Sequence, residues 1–254
     1  MRFEGRVALI TAAASGIGKA TAEIIGAEGG VVVGVDTDRG RLDKTMAAIR
    51  DGGGRAQGLG ADALDAAQVQ QAVDAVVREH GRIDILVNAV GGSTVVLRPA
   101  ATVDELTPDE WRRLITFNLE GTFLFCHAVA PVMKRQGGGK IVNLSSIAGR
   151  GISPTSSSAY AAAKGGIIAF TRKLAHELGP FGVTVNAIAP SMTLTERLRP
   201  RWDGWTDAQR AEYLAGTPLR RVAEAVDQAR VICFLASGDA DFVTGVTIDV
   251  TGGV

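Results

Sequence analysis

Short apolar runs alternate with longer amphipathic runs along most of the chain, and this alternation limits its fold more than any other feature. The short runs are rich in β-branched residues and end in turn residues, as buried strands do. The strand-like runs are residues 7–10, 31–35, 83–87, 140–144 and 183–188, and the helix-like runs are residues 17–28, 68–79, 110–134 and 159–178. The pattern predicts an α/β chain whose right-handed crossovers build a doubly wound, Rossmann-like parallel sheet of about seven strands with helices on both faces.

Composition limits the number of domains and the classes of partner. A chain of 254 residues fits a single α/β domain over residues 1–254. Lys plus Arg and Asp plus Glu number 27 each, so no overall charge draws the chain to nucleic acid or to an anionic membrane. No apolar run approaches the length of a membrane span, and the N-terminus fits a first strand better than a signal peptide. Cys126 and Cys233 lack metal-site spacing. We expect a cytoplasmic protein with buried thiols and without metal.

The first strand-like run leads into TAAASGIGKA, which places two glycines at the start of a predicted helix. Gly16 and Gly18 would let the backbone approach a pyrophosphate, whose charge a helix N-terminus favours. A glycine turn alone is equally compatible with a structural strand-to-helix connection. Asp36 follows about twenty residues later, where a carboxylate can accept hydrogen bonds from the adenine ribose hydroxyls and repel a 2′-phosphate. The two features together predict NAD rather than NADP, although Arg39 could pair with such a phosphate or neutralise a neighbouring aspartate.

Tyr160 and Lys164 lie four residues apart in SAYAAAKGG, on one face of a predicted helix. A free tyrosine has a pKa of about 10, and a cationic neighbour lowers the pKa toward a value useful for proton transfer. The same spacing also occurs in helices where both side chains are solvated or structural. Here the pair follows the serine-rich strand end IVNLSSIAG.

These segments together resemble those of the short-chain dehydrogenase/reductase family over nearly the whole chain. TAAASGIG matches the family's T-G-x-x-x-G-x-G except that Ala12 replaces the first glycine. LVNAVGG resembles L-V-N-N-A-G with Ala89 in place of the second asparagine, and NAIAPSMTLT resembles N-x-x-x-P-G with Ser191 in place of the glycine. The resemblance implies that the turn after the first strand binds a dinucleotide.

The resemblance also implies a catalytic set and a cofactor-binding set. FNLEG would carry the catalytic asparagine, Asn118, and NLSSIAG the catalytic serine, for which Ser146 matches better than Ser145. Tyr160 would exchange a proton with the substrate oxygen, Lys164 would hold the nicotinamide ribose and lower the pKa of the tyrosine, and Asn118 would anchor a water relay. The residues implied to bind the cofactor are Ser15, Gly16, Ile17, Gly18, Asp36, Asp62, Ala63, Asn88, Tyr160, Lys164, Thr193 and Thr195.

Two segments near the site are expected to be irregular. The interval from Ser146 to Tyr160 is one residue longer than the family's, which predicts an inserted residue within residues 149–158. Residues 192–221 follow a strand, and extra chain at the carboxyl end of a strand lies where ligands bind, so we interpret them as a substrate lid. The large cationic and aromatic side chains of this segment could bind an anionic, thioester or aromatic substrate, or they could be solvated. They are Arg197, Arg199, Arg201, Trp202 and Trp205.

The function implied by the resemblance is NAD-dependent oxidation of a secondary alcohol or reduction of its ketone. An NADPH-dependent 3-oxoacyl-thioester reductase is an alternative that Asp36 disfavours and Arg39 allows. A cofactor-binding regulatory or scaffold subunit is a second alternative, supported by Ala12 and the other departures from the family pattern. Family members commonly form homotetramers through two long helices, which implies a homo-oligomer joined through residues 110–134 and 159–178.

Overall fold

The computed structural model describes residues 1–151, 153 and 155–254. Its strands are β1 (Val7–Thr11), β2 (Val31–Asp36), β3 (Arg55–Gly60), β4 (Ile85–Asn88), β5 (Gly139–Leu144), β6 (Val183–Pro190), β7 (Thr193–Leu194), β8 (Ala223–Glu224) and β9 (Thr247–Val250). Its α-helices are α1 (Gly16–Ala27), α2 (Arg39–Asp51), α3 (Ala66–His80), α4 (Pro108–Ile115), α5 (Gly121–Gln136), α6 (Ser158–Leu178), α7 (Arg199–Asp203), α8 (Asp207–Gly216) and α9 (Ala225–Leu235).

The main sheet has seven strands in the order β3-β2-β1-β4-β5-β6-β9, and its neighbouring strands pair in parallel. The predicted doubly wound α/β fold is therefore confirmed. Alternate residues of each strand point to opposite faces, so Leu9 and Val33 join one buried apolar layer while Ile10 and Val32 join the other. The order reverses between β1 and β4, and the carboxyl ends of the strands on either side of this point surround a cleft.

The predicted helix over residues 110–134 is interrupted. A π-helical turn, Thr116–Glu120, separates α4 from α5. Inside this turn the side-chain Nδ2 of Asn118 donates to the Leu114 carbonyl at 2.9 Å. In a regular α-helix, the backbone N–H of Asn118 would donate to this carbonyl instead. The insertion of a side-chain amide into the backbone ladder explains the break.

The segment over residues 192–221 leaves the sheet after β6. Its first residues form β7, which pairs in parallel with β8 in a separate two-stranded sheet, and α7 and α8 lie between these two strands in sequence. Trp202, Trp205 and Tyr213 pack together, with ring centroids between 5.3 and 5.9 Å apart, and give the segment its own small apolar cluster.

Two features concern the predicted partners. Among the described residues, no helix has both the length and the apolar character needed to cross a bilayer. Within the same residues, no cluster of three or more His, Cys, Asp or Glu side chains has the geometry to hold a metal ion. Cys126 and Cys233 are buried free thiols.

Candidate active site

The cleft at the carboxyl edge of the sheet has a volume of about 350 Å³. It brings together most of the residues that the sequence predicts for the site. Those that line it are Ser15, Gly16, Ile17, Gly18, Asp36, Asp62, Ala63, Ser146, Tyr160, Lys164, Thr193 and Thr195. Asn88 and Asn118 lie outside its lining. The stretch with the predicted extra residue includes residues 152 and 154, which are outside the described residues.

Tyr160 stands in the first turn of α6, which the Ser157 hydroxyl caps by accepting the Tyr160 backbone N–H at 3.4 Å. Burial raises the pKa of the Tyr160 phenol, while a hydrogen bond with the Ser146 side chain and the positive charge of Arg197 act in the opposite direction. The Ser145 hydroxyl donates instead to the Lys164 carbonyl at 2.8 Å, inside the protein. The structure therefore selects Ser146 as the serine that faces the tyrosine.

Lys164 lies one helical turn after Tyr160 and is buried. Its Nζ donates to the Leu144 carbonyl at 2.8 Å and lies 5.9 Å from the centroid of the Tyr160 ring. Burial, together with the charge of Arg197, lowers the pKa of the ammonium to about 7. Burial outweighs the groups that lower the pKa of Tyr160 in the free protein, and the expectation that Lys164 lowers this pKa stays a prediction.

Asn118 positions the backbone beside the lysine. Its Oδ1 accepts the Gly92 N–H at 2.7 Å, and its Nδ2 donates to the Gly92 carbonyl at 3.1 Å. A side chain at Gly91 would meet the Lys164 Nζ at 2.7 Å and the Asn118 Oδ1 at 2.8 Å. The buried amide therefore holds a glycine turn close to Lys164, and its side chain acts as a positioning group.

Asn88 does not line the cleft, and its predicted contact with the cofactor stays a prediction. Its Nδ2 donates to the Asn143 Oδ1 at 2.9 Å, and the Asn143 Nδ2 donates to the Thr171 hydroxyl at 2.9 Å. Asn88 and Asn143 are register partners of β4 and β5. Because all three side chains are buried, the network joins structural elements, and the cleft at this strand end is lined by the residues that follow, Ala89 to Gly92.

The turn between β1 and α1 accommodates Ala12 at a conformational cost. Ala12 has a φ of 52°, in the left-handed region that favours glycine. Gly18 has no such tolerance, because an added Cβ would collide with the Ala12 carbonyl and lie 2.8 Å from the Thr11 carbonyl. Gly18 thus permits the close approach of α1 to the turn, whereas the first glycine of the family pattern is replaceable here.

A carboxylate from the segment after β6 lies at the N-terminus of α1. The Glu196 Oε2 accepts the Gly16 backbone N–H at 2.8 Å, and Oε1 lies 3.8 Å from the Lys19 Nζ. Burial opposes ionisation, but hydrogen bonds from backbone N–H groups, including that of Gly16, hold the pKa of Glu196 below its usual value. The protein therefore supplies an anion at the position where a helix N-terminus favours a phosphate. Sequence reasoning did not select Glu196, since a lone glutamate in an irregular segment carries no positional signal.

Asp36 closes the other side of the cleft at the end of β2. Its carboxylate accepts the backbone N–H groups of Ala14 at 3.1 Å and Asp38 at 3.0 Å, which fix its orientation. Arg39 faces away: it donates to the Gly58 carbonyl at 3.2 Å and lies 3.9 Å from Asp43. Arg39 therefore neutralises neither Asp36 nor Asp38 in this structure.

Thr193 and Thr195 line the cleft on the side of β6. The Thr193 hydroxyl donates to the Ser191 carbonyl at 3.1 Å and accepts from Gln228 at 3.2 Å. Thr195 packs against Gly16, where an added Cβ would lie 3.1 Å from its methyl carbon. Ser191 lacks a left-handed backbone and donates to the Thr251 carbonyl at 3.3 Å, which explains why serine replaces glycine there without strain.

Comparisons with known proteins agree with this geometry. The family model described as enoyl-(acyl carrier protein) reductase matches residues 11–254. The chain is 41% identical over 250 residues to the short-chain reductase protein NovJ of Streptomyces niveus, with 97% of this chain and 93% of that protein covered. The chain belongs to the short-chain dehydrogenase/reductase family. It is therefore an oxidoreductase of that family.

Two other members of the short-chain dehydrogenase/reductase family show the range of its substrates. The D-threitol dehydrogenase of Mycolicibacterium smegmatis is 38% identical over 253 residues, with 99% of this chain and 94% of that protein covered. A crystal structure of a 3-oxoacyl-[acyl-carrier protein] reductase with bound NAD from Brucella melitensis superposes with a TM-score of 0.88 at 36% identity, covering 100% of this chain and 94% of that one.

The cleft fits the nicotinamide cofactor that this family binds. The N-terminus of α1 already holds a carboxylate through the Gly16 N–H, a stand-in for a phosphate oxygen. The Asp36 carboxylate lies at the end of the adjacent strand, and the Tyr160 side chain stands at the opposite end of the cleft. A helix end that holds an anion therefore lies in one cleft with the Asp36 carboxylate and the Tyr160 phenol.

Proposed function

We propose that the protein transfers a hydride between NAD(H) and a secondary alcohol or ketone, with Tyr160 as the general acid/base. The observation that carries the proposal is that Ser146, Tyr160 and Lys164 line the same cleft as the dinucleotide turn. The nicotinamide, when bound, supplies or accepts the hydride. The chain's own residues bind the substrate oxygen and move its proton.

In the oxidation direction, Tyr160 accepts the hydroxyl proton of the alcohol, and the Ser146 hydroxyl hydrogen-bonds the same substrate oxygen. In reduction, Tyr160 returns the proton to the carbonyl oxygen. Positioned acid–base catalysis of this kind contributes typically about 10²–10⁴-fold in rate. Lys164 holds the nicotinamide ribose, and Asn118 keeps the Gly91 backbone at the distance that Lys164 requires. Residues 192–221 act as the substrate lid.

Asp36 supports NAD as the preferred cofactor. Its carboxylate is fixed by two backbone N–H groups and lines the cleft, and no guanidinium pairs with it among the described residues. A fixed, unpaired carboxylate at this position accepts ribose hydroxyls and repels a 2′-phosphate. The related Brucella melitensis reductase that was crystallised with NAD agrees with this preference.

A 3-oxoacyl-thioester reductase that uses NADPH is the second candidate. The Brucella melitensis relative supports the substrate class of this candidate but not its cofactor. A cofactor-binding subunit without catalysis is the third. The set of Ser146, Tyr160 and Lys164 at one end of the cleft disfavours it.

The deciding experiment follows NADH absorbance when the purified protein and NAD⁺ meet secondary alcohols, including polyols, aryl carbinols and 3-hydroxyacyl thioesters. Formation of NADH supports the proposal and selects a substrate class. Turnover with NADPH and 3-oxoacyl thioesters alone would favour the second candidate. Cofactor binding without turnover in either direction would favour the third.

We also propose that the chain forms a homotetramer and acts in the cytoplasm. Phe123 on α5 is 46% exposed and lies 6.4 Å, centroid to centroid, from Phe170 on α6, so both long helices present apolar surface at one place. Sedimentation velocity at micromolar concentration tests the assembly, and a monomer as the sole species would overturn it.

A further inference from the structure

Most of the large side chains in residues 192–221 serve that segment itself. Trp202, Trp205 and Tyr213 pack on one another. The Arg199 guanidinium pairs with the Glu224 carboxylate at 2.9 Å and so fastens the segment to β8. None of these side chains lines the cleft. Their contacts account for them without a ligand.

Arg197 differs from the other arginines of residues 192–221, a range that the structure describes throughout, because it alone lines the cleft. Its Nη1 donates to the Gly91 carbonyl at 3.0 Å, and its guanidinium lies against Gly92, where any side chain would collide with it. A guanidinium carries five N–H donors, and this contact uses one. Among the described carboxylates, none lies within 4.0 Å of it.

The charges around Arg197 are unbalanced. Its positive charge lowers the pKa of both Tyr160 and Lys164, which places the guanidinium in electrostatic reach of the reacting groups. The aspartates that line the cleft, Asp36 and Asp62, belong to its far side, at the ends of β2 and β3. The part of the cleft around Tyr160 thus contains Arg197 and the buried Lys164 but no carboxylate. A substrate anion that binds there would neutralise this positive charge.

We propose that Arg197 is a specificity-determining residue that binds a carboxylate of the substrate, so that the preferred substrates are oxo acids and the corresponding hydroxy acids. The planar guanidinium matches a carboxylate with two parallel hydrogen bonds, and Arg197 lines the same cleft as Ser146 and Tyr160. The inference rests on the proposed hydride-transfer function and names its substrate class.

The test compares oxo acids with their esters, which differ in charge but share the reacting carbonyl. Acetoacetate and its methyl ester, and levulinate and its methyl ester, serve as probes with NADH. The variants are Arg197→Met, which removes the charge, and Arg197→Lys, which retains it. Arg201→Met is the matched control because Arg201 has the same charge in the same segment and lies outside the cleft lining.

We expect the unmodified protein to prefer an acid over its ester by at least about tenfold in kcat/KM. Arg197→Met should raise KM for the acid by about 10- to 100-fold, as expected for a lost charge-assisted hydrogen-bond pair, and leave KM for the ester within about twofold. Arg197→Lys should restore part of the loss, and Arg201→Met should change neither KM. The Kd for NADH, from fluorescence titration, should stay within about twofold in all three variants.

Four results would contradict the inference in distinguishable ways. A parallel rise in KM for acid and ester would show that Arg197 has only a structural role. A matching rise in the NADH Kd would assign the guanidinium to the cofactor diphosphate. Turnover of neutral ketones without turnover of any oxo acid would overturn the inference while the proposed function stands. Absence of turnover with every carbonyl compound and every alcohol would overturn both the proposed function and the inference.

Discussion

The Glu196 carboxylate accepts a hydrogen bond from the Gly16 backbone N–H at the N-terminus of α1, with 2.8 Å between Oε2 and the nitrogen. A residue of the proposed lid therefore occupies the position at which a cofactor diphosphate is expected. We therefore expect NADH to displace this carboxylate and to take over the same N–H donor.

Removal of the Glu196 charge should tighten cofactor binding. A charge at a helix N-terminus is worth about 0.3–1 kcal/mol, so we expect Glu196→Gln to lower the NADH Kd about two- to five-fold. Fluorescence titration measures this Kd, and Glu212→Gln, an exposed glutamate of α8, serves as the control. An unchanged or weaker affinity in Glu196→Gln would show that the two anions do not compete.

The chain contains two tyrosines, which gives the catalytic prediction a matched control. Tyr160→Phe removes the proton-transfer group, so turnover should fall by about 100-fold or more while the NADH Kd stays within about twofold. Tyr213 packs with Trp202 and Trp205 and does not line the cleft, so Tyr213→Phe should keep at least about half of the activity. Full turnover in Tyr160→Phe would end the assignment.

Alcohol oxidation should accelerate as the pH rises, because it needs the Tyr160 phenolate and burial raises the pKa of this phenol. Ser146, Lys164 and Arg197 surround the group, and the Ser146 hydrogen bond and the Arg197 charge favour the phenolate. Loss of that charge in Arg197→Met raises the pKa further, so the rising limb of the kcat/KM profile should move to higher pH. A neutral alcohol is the probe, so that substrate binding by Arg197 does not contribute. A limb that stays in place in Arg197→Met would contradict the electrostatic coupling.

Asp36 should set the choice of cofactor. Asp36→Ala removes a fixed negative charge from the ribose position, and the ratio of kcat/KM for NADP to that for NAD should rise by about tenfold or more, since like charges held together cost several kcal/mol. Asp62→Ala, another carboxylate lining the cleft, should lower both efficiencies and leave the ratio unaltered. An unaffected ratio in Asp36→Ala would reject Asp36 as the selector.

Ala12 stores backbone strain that glycine would release. A left-handed φ costs a non-glycine residue about 1–2 kcal/mol, and the extra entropy of an unfolded glycine offsets about half of this. Ala12→Gly should therefore raise the free energy of unfolding by up to about 1 kcal/mol in urea. Ala20→Gly within α1 is the control and should lower it by about 1 kcal/mol. Destabilisation by Ala12→Gly would show that the alanine methyl group contributes packing.

The interior of the sheet could be predicted from sequence because its strands are buried on both faces and read as continuous β-branched runs. β3 (Arg55–Gly60) was not recognised by pattern because it is an edge strand with two glycines and two polar residues in six. The helical pattern of residues 110–134 predicts one helix, whereas the structure has a π-helical turn within it. Hydrophobic periodicity cannot reveal that the Asn118 side-chain amide replaces a backbone hydrogen bond there.

The candidate site was predictable where backbone geometry determines it and not where side-chain direction does. Spacing alone left the turn at Gly16 and the Tyr160–Lys164 pair open to structural interpretations, and the family resemblance favoured a site; the structure places both features in one cleft. Asn88 lies at the right strand end but turns its amide toward Asn143, which a motif cannot indicate. The sequence does not distinguish among the arginines of residues 192–221. The structure distinguishes Arg197 because it alone among them lines the cleft.

Glu196 and Arg197 are neighbours in the chain. Glu196 contacts Gly16 at the N-terminus of α1, whereas Arg197 contacts Gly91 beside Lys164. The arrival of the dinucleotide must move the first, and the second shares its backbone. The enzyme should therefore add its ligands in a compulsory order, with the dinucleotide first and the organic substrate second, and release them in reverse.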